Sequence, residues 1–286
     1  MDGIVFDKDG TLFDFRRSWG VWAVRMLNAL AKDEAHARRM GQAVGYDLVS
    51  GVFEADSPIV AATNADIAER LVPHLDGQSQ AEILAKLDAM AVEAPMIPAT
   101  DLEAVFGALR GLGLKLGLAT NDGQRAAHAH LAAHGVDRFF DFIAGADSGH
   151  GAKPEPGMLL AFARSQGLDP ARVAMVGDSA HDLMAGQAAG MVPVAVLTGI
   201  ACADELSGLA EVVLPDISYL PGWVTARRAT EAGEKRRNPV VNARRMSRGP
   251  VQIGSGASQG EPTCPRNPPR SVAPGPSATR RGPERR

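Results

Sequence analysis

From residue 102 onward the sequence alternates between two periods, and this alternation constrains the fold more than any other feature. Short apolar runs, "LKLGLAT" (114–120), "FDFIAG" (140–145), "RVAMVG" (172–177) and "VPVAVLTG" (192–199), read as strands. Between and before them lie "DLEAVFGALRGLG", "DGQRAAHAHLAAHG", "EPGMLLAFARSQG" and "SAHDLMAGQAAG". Each is apolar at helical spacing and closes on Gly, the usual helix-stop residue. An earlier run, "GIVF" (3–6), supplies a first strand, and "EVVLPD" (211–216) a last edge strand. Strand and helix repeating in this way predict an α/β fold, a parallel sheet flanked on both faces by helices. Ligands of such sheets bind beyond the carboxyl ends of the strands.

That rule selects a small set of side chains. Asp7, Asp9, Gly10 and Thr11 follow the first strand, in "DKDGT". Thr120 and Asn121 follow the second, in "ATND", and Lys153 lies just after the third, in "SGHGAKPEPG". Asp178 and Asp182 follow the fourth, in "GDSAHD". Four distant segments therefore send carboxylates, a hydroxyl and an ammonium to one rim. Carboxylates gathered so closely require compensating positive charge, which a hard divalent cation with oxygen ligands supplies. Mg²⁺ suits the pattern, because it takes few carboxylates and fills its shell with water and phosphate oxygens.

"DKDGT", "ATN", "KPEPG" and "GDSAHD", in that order, resemble the four motifs of the haloacid dehalogenase (HAD) superfamily. The resemblance covers most of residues 1–224, and the text around the motifs is similar to that of phosphoglycolate phosphatases with a helical cap. It implies a HAD-type Rossmann-like sheet and a Mg²⁺-dependent phosphatase that passes through an aspartyl-phosphate, with phosphoglycolate the leading substrate expectation. Matched position by position, the resemblance makes Asp7 the nucleophile and Asp9 the general acid and base. Thr120 and Asn121 would bind the phosphoryl group. Lys153 would hold Asp7 and offset phosphoryl charge. The metal would sit on Asp7, Asp178, the backbone carbonyl of Asp9 and, directly or through water, Asp182. His150 and His181, near these motifs, receive no role. Asp9 argues against dehalogenase and phosphonatase chemistry, neither of which uses an aspartate two residues after the nucleophile. A phosphomutase of the β-phosphoglucomutase type shares both aspartates and stays open.

Residues 14–98 carry several helix-like stretches and no convincing strand, and they are too long for a plain connection. They predict a small all-helical cap domain inserted after the first strand, with the core formed by 1–13 and 99–224. Hinges are expected near 14–18 and 95–100, and Arg16, Arg17 and Trp19 are placed where they could reach substrate. The chain is 286 residues long with a net charge of −3. That small value hides about −13 before residue 225 and about +10 after it. The segment 225–286, rich in Pro, Gly, Ser and Arg, reads as a disordered basic tail. No aromatic residue interleaves its charges, so nucleic acid is not the expected partner; a small phosphorylated metabolite is. A non-catalytic HAD-like binding protein using that tail is the alternative from another class. Two scattered cysteines, no secretory leader pattern and no apolar stretch of about 18 residues point to a cytoplasmic protein outside the membrane. Oligomeric state leaves no trace in the sequence.

Overall fold

The computed structural model describes residues 1–54 and 57–237. Strand β1 (Gly3–Phe6) is buried along its whole length, as its unbroken apolar run requires. The chain then leaves the sheet for an insertion containing α1 (Phe15–Leu30), α2 (Glu34–Ala43), β2 (Tyr46–Asp47), β3 (Val52–Phe53), α3 (Pro58–Ala61), α4 (Asn64–Leu71) and α5 (Gln80–Val92). It returns through α6 (Leu102–Gly111), β4 (Lys115–Ala119), α7 (Gln124–Ala133), β5 (Phe142–Ala144), α8 (Gly157–Gln166) and β6 (Val173–Gly177). Then follow α9 (Ala180–Ala188), β7 (Val192–Val196), α10 (Ala203–Leu206), β8 (Val212–Leu214) and α11 (Leu220–Arg237).

Six of the strands form one parallel sheet in the order β5-β4-β1-β6-β7-β8. The chain moves outward on one side of β1 through β4 and β5, then crosses to the other side with β6. Strand order reverses at β1, so the crevice beyond its carboxyl end is the natural ligand site. Register makes this concrete. Phe6 pairs with Leu118 on β4 and with Val176 on β6, and the Asp7 N–H donates to the Val176 carbonyl at 2.8 Å. Asp7, Thr120 and Asp178 therefore leave the sheet at nearly the same height.

The two faces of the sheet are sealed separately. On one, Phe6 meets Phe106 edge-on at 5.5 Å and Phe140 at 6.3 Å. On the other, Val5 and Met175 pack with Met158 and Phe162 of α8. Each such side chain contributes about 1.5–3 kcal/mol by leaving water. Helix α8 stops at Gly167, whose φ of 64° is the left-handed turn that ends a helix at low cost.

Capping residues set the helices of the insertion. Asp14 caps α1, while Thr63 with Asp66 and Ser79 with Glu82 form capping boxes on α4 and α5. The otherwise helical insertion also contains a two-stranded antiparallel ribbon, β2 against β3, that the sequence reading did not anticipate. Two residues per strand are too few to show a period. The ribbon is held instead by Tyr46 on Phe53 at 4.7 Å and Phe53 on Phe15 at 5.1 Å. The outgoing and returning chains run side by side: Asp14 N–H donates to Ile97 O at 2.8 Å and Ala99 N–H to Leu12 O at 2.9 Å.

A second departure concerns the start of the basic tail. Helix α11 continues to Arg237, so residues 225–237 are helical, and the rest of the expected tail lies outside the described residues. The arginines counted there as tail charge have structural partners. Arg228 donates to the carbonyls of Met1 (2.7 Å) and Leu112 (2.8 Å), and Arg227 pairs with Glu211 and Glu231. Composition alone could not distinguish such a helix from a solvated run of charge. Among the described residues no helix is long and apolar enough to cross a membrane.

Candidate active site

Seven of the nine residues singled out by position at the strand ends line one cavity, Asp7, Asp9, Thr120, Asn121, Lys153, Asp178 and Asp182, while Gly10 and Thr11 are not part of its lining. The cavity lies beyond β1, β4 and β6, where the switch-point rule placed it. Its far wall comes from the insertion, with Phe15, Trp19, Ile59, Val60, Ala62 and Asn64. Trp19 thus faces the cavity as expected, whereas Arg16 and Arg17 are exposed and not part of its lining. Helical spacing turns Phe15 and Trp19 inward together and the two arginines outward.

Lys153 is the hub of one half of the site. Its Nζ donates to Asp7 Oδ1 at 2.5 Å and lies 2.7 Å from Asp182 Oδ1. Burial by itself would lower the Lys153 ammonium, but Asp182 and Asp7 overcome that and hold it above its ordinary value. Its loop is fixed by Asn121, whose amide donates to the Lys153 carbonyl (2.9 Å) and accepts from the Lys153 N–H (2.8 Å). The Asn121 amide thus braces the lysine loop, a task the sequence reading had not given it. Asp182 is the third helical residue of α9, where its Oδ2 accepts from the Ser179 N–H and hydroxyl in a capping box. Both of its oxygens therefore have partners.

Thr120 is buried, and its hydroxyl accepts from the Asp122 N–H at 3.1 Å. It does not cap α7, whose cap position is Gly123. Asp178 sits in a space that only glycines leave open. A Cβ on Gly10 would lie 2.3 Å from Asp178 Oδ2, and one on Gly199 1.7 Å from it. Gly10 also holds φ at 84°, which turns the chain away from Asp7 directly after the strand.

Asp7, Asp178 and Asp182 each offer an oxygen within 4.8 Å of the others, all three being buried. Burial raises the Asp7 carboxyl to about 7; Lys153 opposes this, while Asp182 and Asp9 add to it. Burial, then Asp182 and Asp7, raise Asp178 well above its ordinary range. Three oxygen ligands facing one ammonium are short of positive charge, so the donor set fits a hard divalent cation such as Mg²⁺.

The other half of the site centres on Lys8, which sequence reasoning passed over. Lys8 is fully buried, with Nζ 2.6 Å from Asp122 Oδ2, 3.2 Å from Asp9 Oδ2 and 3.0 Å from His130 Nδ1, and it lies 5.3 Å from the Trp19 ring centre. One cue was present: a lysine between two aspartates at a buried strand end needs buried partners. Nothing in the sequence identified Asp122 or His130 as those partners. Three buried polar atoms of the cavity lining have no hydrogen bond: Asp9 Oδ1, Trp19 Nε1 and His181 Nδ1. His181, given no role from sequence, thus faces the cavity, whereas His150 packs near Phe142 away from its lining.

Fold and rim chemistry together define an α/β protein with a charged cavity at the carboxyl edge of its parallel sheet. Residues 1–190 match the family model of haloacid dehalogenase-like hydrolases. The chain is 32% identical to the "Probable phosphatase IndB" of Dickeya dadantii over 214 residues, covering 74% of this chain and 88% of that one. It is 29% identical to the phosphoglycolate phosphatase of Neisseria meningitidis over 233 residues, covering 78% and 89%. Among solved structures, CbbY of Rhodobacter sphaeroides in complex with phosphate superposes with a TM-score of 0.58 at 19% identity, covering 77% of this chain and 96% of that chain. The chain belongs to the haloacid dehalogenase-like hydrolases.

Proposed function

We propose that the protein is a Mg²⁺-dependent phosphatase that hydrolyses a small phosphate monoester through an aspartyl-phosphate on Asp7. The observation that carries this reading is the convergence of Asp7, Asp9, Thr120, Lys153 and Asp178 on one cavity from four separate segments. An oxygen of Asp7 attacks phosphorus as the bond to the leaving alkoxide breaks, and Asp9 gives that alkoxide its proton. Water then attacks the aspartyl-phosphate, Asp9 takes the water proton, and phosphate departs with Asp7 again a carboxylate. Burial, opposed by Lys8, holds Asp9 above the ordinary carboxylate range, the direction an acid requires. Lys153 fixes Asp7 and meets the phosphoryl oxygens, and Thr120 donates its hydroxyl to them, with Asn121 keeping the lysine loop in place. Asp7, Asp178 and the Asp9 carbonyl would hold Mg²⁺, with Asp182 orienting the set; the ion when bound neutralises phosphoryl charge. Residues 14–98 act as a cap over the reacting centre, excluding water and presenting Phe15, Trp19, Ile59 and Val60 to the leaving group. Relatives named as phosphoglycolate phosphatases keep that ester first among substrates to try, and sugar phosphates test the phosphomutase alternative.

A panel of phosphorylated metabolites assayed with Mg²⁺, with chelator and with Asp7→Asn tests the reading. Release of phosphate should fall at least about a thousandfold in Asp7→Asn, with the melting curve retained. It should also vanish in chelator. Substantial turnover in either control removes the corresponding part of the mechanism.

A further inference from the structure

The mechanism uses Asp9 but does not say what aims it. A lone aspartate in a buried cavity has several rotamers, and an acid misplaced by an ångström transfers its proton poorly. Lys8 stands beside Asp9 and is itself held by buried partners. An ammonium carries three donors and no acceptor. Lys8 Nζ hydrogen-bonds Asp122 Oδ2 at 2.6 Å and His130 Nδ1 at 3.0 Å, and forms an ion pair with Asp9 Oδ2 at 3.2 Å. Because a lysine can only donate, His130 Nδ1 must be the acceptor, so the imidazole is neutral with its proton on Nε2. That proton is also accounted for: Nε2 donates to the Ala91 carbonyl in α5 at 2.8 Å. Lys8 is thus held by two hydrogen bonds and an ion pair in a fully buried site.

We propose that Lys8, locked by Asp122 and His130, is the positioning residue for Asp9: it holds Oδ2 and leaves Oδ1 turned to the leaving-group oxygen. The two oxygens of Asp9 differ as this role requires. Oδ2 has the lysine, while Oδ1 is buried and without a hydrogen bond. The Trp19 indole comes near enough to favour the ionised carboxylate, yet its Nε1 completes no hydrogen bond either. The cluster also ties Asp9 to the insertion at two places, through His130 to Ala91 and through Asn64, whose amide reaches Asp122 Oδ1 at 3.5 Å. Seating of the insertion and aim of the acid are therefore set by one network.

This inference rests on the phosphatase reading, and its test separates the two. Wild-type protein, Lys8→Met, Lys8→Arg and the double variant Lys8→Met with Asp122→Asn are assayed on an alkyl phosphate and on p-nitrophenyl phosphate, with Mg²⁺. The double variant removes a buried pair together, so it remains usable if Lys8→Met alone does not fold. An alkyl leaving group needs its proton during bond cleavage, whereas p-nitrophenolate does not. Loss of aim should therefore lower kcat for the alkyl ester about a hundredfold, with KM little changed. The ratio of alkyl to aryl turnover should fall at least about tenfold, and Lys8→Arg should recover part of it. Equal losses on both esters, or a change confined to KM, would show a merely structural lysine and overturn the proposal. If wild-type protein releases no phosphate from either ester, the phosphatase reading fails and takes this inference with it.

Discussion

Two buried lysines, Lys153 in the cavity lining and Lys8 behind it, are each set between aspartates, and the two clusters differ in their carboxylates. Around Lys153 stand Asp7 at 2.5 Å and Asp182 at 2.7 Å, with Asp178 close to both carboxylates. Around Lys8 stand Asp122 and Asp9 at 2.6 and 3.2 Å, and the third partner is a neutral imidazole. The first cluster has three carboxylates to one ammonium and is left short of positive charge. The second has two carboxylates to its ammonium, one fewer than the first. The half with the greater excess of carboxylates is the electrostatically incomplete one, and its charge would suit a cation and a phosphoryl group. The other half is the more nearly complete, each of its two carboxylates being met by Lys8.

The sharpest way to break this comparison is to delete the lysine of the incomplete half. Lys153→Met leaves Asp7 and Asp182 buried and facing each other, so about 3–5 kcal/mol of stability should be lost without metal. Added Mg²⁺ should restore part of that loss, because the ion supplies the missing charge, while turnover stays at least about a hundredfold down. Denaturant melts with and without Mg²⁺, beside steady-state rates, check both effects. Wild-type rates in this variant would remove Lys153 from the site.

A smaller effect should mark the more nearly complete half. Burial, with Lys8 next and His134 adding, lowers His130 from 6.5 to about 4, against the opposing pull of Asp122. The groups facing the ring are Lys8 beyond β1, Asp122 beyond β4 and His134 just past α7, with the Ala91 carbonyl on the α5 side. A histidine held below its unfolded value contributes its full stability above pH 6.5. That contribution is lost as pH falls through 6.5 towards 4, because the unfolded chain binds the proton first. Wild-type protein should lose about 3 kcal/mol more over this interval than His130→Gln, in which the titrating group is absent. Parallel stability curves for the two proteins would contradict a buried neutral imidazole.

The least expected change is at the edge of the same network. Asn64 donates to Asp88 at 2.9 Å and reaches Asp122 at 3.5 Å. Asn64→Ala should cost about 1 kcal/mol in a denaturant melt, far less than Lys153→Met. A cost equal to that of the lysine would mean the second cluster depends on the insertion far more than its distances imply.

Much of the scaffold was legible in the sequence, because strand and helix periods follow directly from which residues must leave water. Each strand read from an apolar run, from "GIVF" to the short edge at 211–216, lies in the sheet. The rim residues were legible as well, since in a parallel sheet the site lies where strands end and the chain turns. The ribbon of β2 and β3 was not legible, being two residues deep and held by ring contacts between Tyr46, Phe53 and Phe15. The helical stretch 225–237 was hidden too, because arginines bound to carbonyls and carboxylates have the same letters as solvated ones.

The layer order of the core and the set of charged groups at its carboxyl edge can be read from local sequence alone. Both follow from local pattern and from the register that parallel pairing imposes. Only the tertiary structure decided which charge meets which. Lys8 and His130 are separated by 122 positions, and Lys153 and Asp7 by 146. Contacts over such separations come from packing of whole elements, and no short-range pattern records them.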